Sequence, residues 1–178
     1  MICKINKPDT IQFSVKMERD DDLYTACMWA RITFDNKNWS MMAQSDAGDY
    51  SYSWCVESGG RKFLELMQEI DSDYLLGKIS DMSRFDAEAT KENVIDMIVN
   101  DEDLTIAERD NLIEEIRGME NHSNDRDFLE ELENIHGMNE YSDLWECIES
   151  DYPARAKTFA KVFTEIIQPE IRRYLKEN

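Results

Sequence analysis

The sequence predicts an α+β fold, a four-stranded antiparallel meander at the N-terminus followed by a layer of about six short helices. Three observations carry this expectation. Between residues 10 and 56, apolar and polar residues alternate in four segments joined by short Asp-, Asn- and Gly-containing turns. After residue 60, apolar residues recur at helical spacing between recognisable caps. Only 3 Pro and 6 Gly occur in 178 residues, which disfavours long flexible linkers. A single domain, 1–178, is therefore expected, with a sheet part at 1–57 and an acidic helical part at 60–178.

The first expected strand is Thr10–Met17, with Ile11, Phe13, Val15 and Met17 on one face and Gln12, Ser14 and Lys16 on the other. Thr25–Phe34, rich in β-branched and aromatic residues, reads as the second, its inner face being Ala26, Met28, Ala30, Ile32 and Phe34. Trp39–Gln44 follows the turn Asp35–Asn38 as the third. Tyr50–Val56 is the fourth, after a turn in which Gly48 supplies a positive φ. Its Tyr50, Tyr52, Trp54 and Val56 share one face. The simplest reading covers that face with helices. An exposed aromatic platform of the kind that binds nucleic acid is the alternative, but basic residues do not interleave with the aromatics.

Ser58-Gly59-Gly60 ends the sheet, and a helix is expected from Arg61 with Phe63, Leu64, Met67 and Ile70 inward. Asp73–Ser80 reads as a short helix that Gly77 bends or ends. Asp86–Asn100 is a longer one, burying Val94, Ile95 and Ile98. Thr105 and Glu108 form a capping box that starts the next at Ile106, which runs to about Gly118. Asp127–His136 is closed by Gly137, and Ser142 is expected to cap a segment holding Leu144, Trp145 and Ile148. Pro153 fits the first turn of the last helix, whose stripe is Phe159, Phe163, Ile167 and Ile171. Pro169 should bend it by removing a hydrogen bond and crowding the Glu165 carbonyl.

Charge is distributed unevenly. Residues 64–151 contain 27 Asp and Glu against 6 Lys and Arg, a net of −21, while the rest of the chain holds 12 against 14. Such a chain is repelled by nucleic acid and by anionic membranes, so no direct nucleic-acid or membrane partner is expected and a basic protein partner is favoured. No apolar run reaches the roughly 18 residues of a membrane span, and the first residues hold no apolar core of a secretory signal, so a cytoplasmic protein is expected.

Two pairs of acids invite a calcium reading. Asp71-x-Asp73 and Asp101-x-Asp103 begin like calcium loops, but the sixth and twelfth positions are Leu76 and Met82 in one and Ile106 and Leu112 in the other. His122 and His136 match no zinc spacing, and Cys3, Cys27, Cys55 and Cys147 contain no CxxC pair. Four is an even number, so one disulfide stays open, with four reduced and buried thiols the simpler reading. No nucleophile–base or phosphate-loop motif is present. The expectation is a protein that is not an enzyme and uses no cofactor; a divalent-metal enzyme is the most distant alternative.

Carboxylates at i, i+3 and i, i+4 stand about 5–6 Å apart, so acidic helices can build rows of negative charge. Glu88, Glu92 and Asp96, continued by Asp101, Glu102 and Asp103, are candidates for one partner-binding row. Glu114, Glu115, Asp127, Glu130, Glu131 and Glu133 are candidates for a second. DNA carries a charge per about 1.7 Å of axis, so several packed helices would be needed to imitate it.

Asp46-Ala-Gly-Asp-Tyr-Ser-Tyr-Ser-Trp54, Phe63-Leu64, Asp73-Tyr-Leu-Leu-Gly-Lys78 and Phe85-Asp86-Ala-Glu-Ala-Thr90 resemble a group of small phage and prophage proteins. These share a D-x-G-x-Y-x-Y-x-W sheet segment and a D-Y-L-L-x-K helix start, and the late Pro-bent helix with aromatics is similar too. The resemblance is firm over about residues 40–90 and implies a mobile-element origin; it brings no site residue with it. Phage accessory genes of this size often encode inhibitors of host defence, and strongly acidic ones include DNA mimics. By that analogy the expected function is inhibition of a host defence nucleoprotein or nuclease, a CRISPR effector or restriction enzyme, by occupation of its basic nucleic-acid-binding surface. The alternative is an interaction module that uses the aromatic sheet, with the charge serving solubility. A homodimer is compatible with either.

Overall fold

The computed structural model describes residues 3, 5, 7–55 and 62–178. Strands β1 (Thr10–Lys16), β2 (Trp29–Asp35), β3 (Ser40–Ser45) and β4 (Gly48–Ser53) come first. Helices α1 (Phe63–Met67) and α2 (Ser72–Ile79) precede a two-residue strand β5 (Arg84–Phe85). Helices α3 (Ala87–Val99), α4 (Ile106–Gly118) and α5 (Asp125–Asn134) follow, then 3₁₀ turns at Met138–Glu140 and Leu144–Cys147 and strand β6 (Ser150–Asp151). Helix α6 (Ala154–Val162), a π-helical segment (Phe163–Ile167) and α7 (Gln168–Glu177) complete the chain. This is the α+β order that the sequence predicts. Val56, the turn at Ser58-Gly59-Gly60 and the expected helix start at Arg61 lie outside the described residues. The chain divides into two compact units: Met1–Asp81 with Tyr152–Asn178, and Met82–Asp151.

In the first unit the strands pair in sequence order, β1-β2-β3-β4, all antiparallel. The register sets Phe13 opposite Ile32, Phe34 opposite Met41 and Ala43 opposite Tyr50. Because side chains alternate across a strand, Ala30, Ile32, Phe34, Met41 and Ala43 share one face, and all are buried. Phe63, Leu64, Met67, Leu75, Phe159, Phe163, Ile167 and Ile171 from the helices complete this core. Burying each such large side chain stabilises the fold by about 1.5–3 kcal/mol. Phe34 is its centre, with edge-on contacts to Phe13, Phe63 and Phe163 at 5.8, 6.0 and 6.4 Å.

Four local differences from the sequence reading have physical causes. The second strand starts at Trp29 rather than Thr25, because Ala26 and Cys27 donate back to the Leu23 carbonyl and close a turn. The Asp46 carboxylate then takes the Met28 N–H at 2.8 Å, which leaves Met28 exposed instead of inward. Trp39 belongs to the turn, not the strand: its φ is +48°, and its burial against Phe63, with ring centres 5.6 Å apart, holds it there. Gly77 does not end α2, which continues to Ile79; a Cβ there would meet only the Tyr152 hydroxyl, at 3.5 Å. Where a bend is expected at Pro169, the helix continues from a π-helical segment directly before it, whose wider i→i+5 turns accommodate the missing N–H. Buried Gln168, beside the proline, donates to the Met67 and Ile70 carbonyls at the end of α1.

The second unit has its own core, made by Val94 and Ile98 of α3, Leu112 and Ile116 of α4, Phe128 and Leu132 of α5, and Met138 and Leu144 of the 3₁₀ turns. Phe85, held in the β5–β6 pair opposite Ser150, packs on Phe128 with ring centres 5.4 Å apart. The expected capping box is formed: Thr105 Oγ1 accepts from the Glu108 N–H, and Glu108 accepts from the Thr105 N–H. Helix α5 begins two residues earlier than expected because Asn124, not a later residue, caps it by accepting from the Asp127 N–H. It ends before Gly137, whose φ of +98° requires glycine. Ser142 does not cap the next segment; its hydroxyl donates to Asp143 instead. Pro153 is the residue before the first turn of α6 rather than within it.

Candidate acidic interaction surface

The charge asymmetry largely follows the division into units. Residues Met82–Asp151 hold 22 Asp and Glu against 5 Lys and Arg, a net of −17, and the other 108 residues hold 17 against 15.

Helix α3 sets out the first row. Asp86 caps it by accepting from the Ala89 N–H at 3.1 Å, which fixes where the helix starts and therefore which way each side chain points. Ala87, Thr90, Lys91, Val94 and Ile98 then face inward, and Glu88, Glu92 and Asp96 fall on the exposed side at i, i+4 and i+8. With Lys91, Ile95 and Arg117 of α4 they line an open groove of about 390 Å³. Glu102 and Asp103 are exposed in the following loop.

Asp101 is different. Its carboxylate accepts from the Tyr141 hydroxyl and from the Asp103 N–H, and its carbonyl accepts from Arg109. The Tyr141 bond, then the Asp103 N–H and the Arg109 charge, hold the Asp101 carboxyl below its usual range. Burial, and then Asp101 itself, push the Tyr141 hydroxyl up to about 12. Asp101 is thus a tie between the α3–α4 loop and the 3₁₀ turns. Glu108 is likewise lowered by its bonds from the Thr105 hydroxyl and N–H, as a cap should be.

The second expected row is divided between helices. Glu114 and Glu115 are exposed on α4; Asp127, Glu130 and Glu133 are exposed on α5. Glu131 is paired with His122, so it anchors the loop before α5. Of the twelve candidates, ten stand in solvent and Asp101 and Glu131 are engaged in the fold.

Two of the unit's five cations serve its interior, while Arg84, Arg117 and Arg126 are exposed. Lys91 is buried and donates to the Met119 carbonyl at 2.7 Å and to Asn121 Oδ1 at 3.0 Å, closing the C-terminal end of α4. Arg109 donates to the Asp101 carbonyl. The sequence marks neither as special, although the position of Lys91 in the Ala87–Val94–Ile98 stripe is a readable signal that it faces inward. Trp145, in the same segment as Leu144 and Ile148, is 63% exposed.

The aromatic alternative loses its surface. Tyr50, half-buried, packs on Phe159 with ring centres 4.6 Å apart, and Trp54 is buried against Phe63 in the sheet unit's core. The opposite sheet face carries Arg31, Met42, Gln44, Ser51 and Ser53. The four cysteines are free, Cys27 and Cys147 buried and Cys3 and Cys55 exposed. Burial, then the neighbouring Asp46, pushes the Cys27 thiol up to about 11, so it stays protonated. Among the described residues no group of His, Cys, Asp or Glu is placed to hold a metal ion, and no helix is long and apolar enough to cross a membrane.

Comparison with known proteins gives a family. The model of the phage family phiTE_072 matches residues 7–173, nearly the whole chain. The chain belongs to this phage family. The match agrees with a phage origin and covers residues of both units. Neither the curated proteins nor the solved structures compared with it contain a match.

Proposed function

We propose that this phage protein is a binding protein whose acidic unit occupies the basic nucleic-acid-binding surface of a host defence nucleoprotein or nuclease. It acts in the host cytoplasm by exclusion, without catalysis and without a cofactor. One observation carries the reading: a 70-residue unit of net −17 leaves ten of the twelve candidate carboxylates in solvent, while Lys91 and Arg109 are engaged by its own backbone carbonyls. Like charges held this close oppose folding. A cationic partner offsets that repulsion on binding and gains fast, electrostatically steered association.

The test is protection of incoming DNA in cells that carry a restriction or CRISPR system. Expression of the phage protein should raise the survival of a targeted plasmid. The combined variant Glu114→Lys, Glu115→Lys, Glu130→Lys, Glu133→Lys, which spares the internal ties of Asp101 and Glu131, should abolish that protection. Undiminished protection by the folded variant rejects the acidic surface as the binding face.

A further inference from the structure

Bare charge gives speed and salt sensitivity, but interface energy concentrates in a few well-held aromatic and arginine anchors. The acidic unit holds one such aromatic. Trp145 is 63% exposed on the 3₁₀ turn Leu144–Cys147, while its neighbours Leu144 and Cys147 are buried at 4% and 9% exposure. The turn is pinned to α3: Asn93 Nδ2 donates to the Cys147 carbonyl at 3.2 Å, and the Glu149 N–H donates to Thr90 Oγ1 at 2.9 Å. The indole is therefore presented from a fixed base, and little ordering remains to be done when something covers it.

Its surroundings say what would cover it. Residues 127–154 contain nine Asp and Glu and no Lys or Arg, and the exposed Asp143 and Glu146 flank Trp145. The sheet unit shows the contrast, because there Lys78 lies 5.2 Å from the Tyr74 ring centre and 5.4 Å from that of Tyr52. Those aromatics are served by the chain's own cation. A guanidinium stacks flat on an indole while its edge pairs with carboxylates, a match that an ammonium makes less well.

We propose, resting on the acidic-surface reading above, that Trp145 is the anchor on which an arginine of the partner protein stacks, with Asp143 and Glu146 as its carboxylate rim. The test titrates the full-length phage protein with labelled oligo-arginine and oligo-lysine peptides of equal length. The wild-type protein should bind both in a salt-dependent way and prefer oligo-arginine. Trp145→Ala should weaken oligo-arginine binding about three- to tenfold and erase the preference, and Trp145→Phe should retain part of it. Oligo-arginine binding unchanged in a folded Trp145→Ala protein overturns this inference and leaves the acidic surface standing. Failure of the wild-type protein to bind either peptide overturns the acidic surface and this inference with it.

Discussion

The sheet unit and the acidic unit solve the same packing problem with opposite surfaces. The sheet unit holds 17 acids and 15 bases and a core built on a continuous β-meander, so its charges nearly cancel. The acidic unit holds a smaller core of short capped helices together against a net of −17. It also turns some of its acids into structure: Asp86 and Glu108 cap helices, Asp101 ties a loop, and Glu131 holds His122. Charge excess and structural acid use coexist because a cap or tie needs only one carboxylate in one place. The acids left over are those available to a partner.

Core truncation probes the comparison with the largest effect. Phe34→Ala in the sheet unit and Phe128→Ala in the acidic unit each remove a side chain with no solvent exposure, and each should cost about 3–5 kcal/mol. Hydrogen exchange should show the Phe128→Ala loss in residues 82–151. Protection unchanged there would mean that the second core does not hold its helices.

Lys91→Met is smaller and tests whether this buried cation ties the acidic unit's interior together. It leaves the Met119 carbonyl without its donor and should lower stability by about 1–3 kcal/mol in denaturant titration. A neutral or stabilising result would make Lys91 a tolerated buried charge rather than a tie.

Acid titration gives the smallest effect and separates structural acids from displayed ones. Asp101 and Glu108 have lowered values in the folded protein. Their contribution is therefore fully present above the ordinary carboxylate pKa of about 4 and is lost as the pH falls through the lowered folded values. Tyr141→Phe should return the Asp101 carboxyl toward its ordinary range, read by NMR titration of that side chain. An Asp101 titration that does not move would remove the Tyr141 bond as its cause.

Local chemistry made much of this legible. Alternation at Ile11, Phe13 and Val15 marks a strand whatever surrounds it, because period two leaves one face for the core. Thr105 with Glu108 marks a helix start, because the box closes within one turn. The inward faces of α3 and α5 followed from Val94, Ile98, Phe128 and Leu132 at helical spacing. Less legible were residues whose state depends on distant partners. Trp39 looked like a strand residue until burial against Phe63 held it at positive φ, and Met28 looked inward until Asp46 took its N–H. The sequence sets Trp145 beside Leu144 in one segment without saying which of them is exposed, because a pattern shows that a residue is apolar and not that its turn points it outward.

By itself, then, the amino-acid order determined the α+β class, the strand faces, the helix caps and the segregation of negative charge, since each depends on residues a few positions apart. Only the tertiary structure decided which carboxylates are displayed and which are consumed. Asp101 and Glu102 are adjacent and chemically alike, but one meets a tyrosine forty residues away and the other meets water. Partners that distant in the chain leave no local trace in composition or spacing.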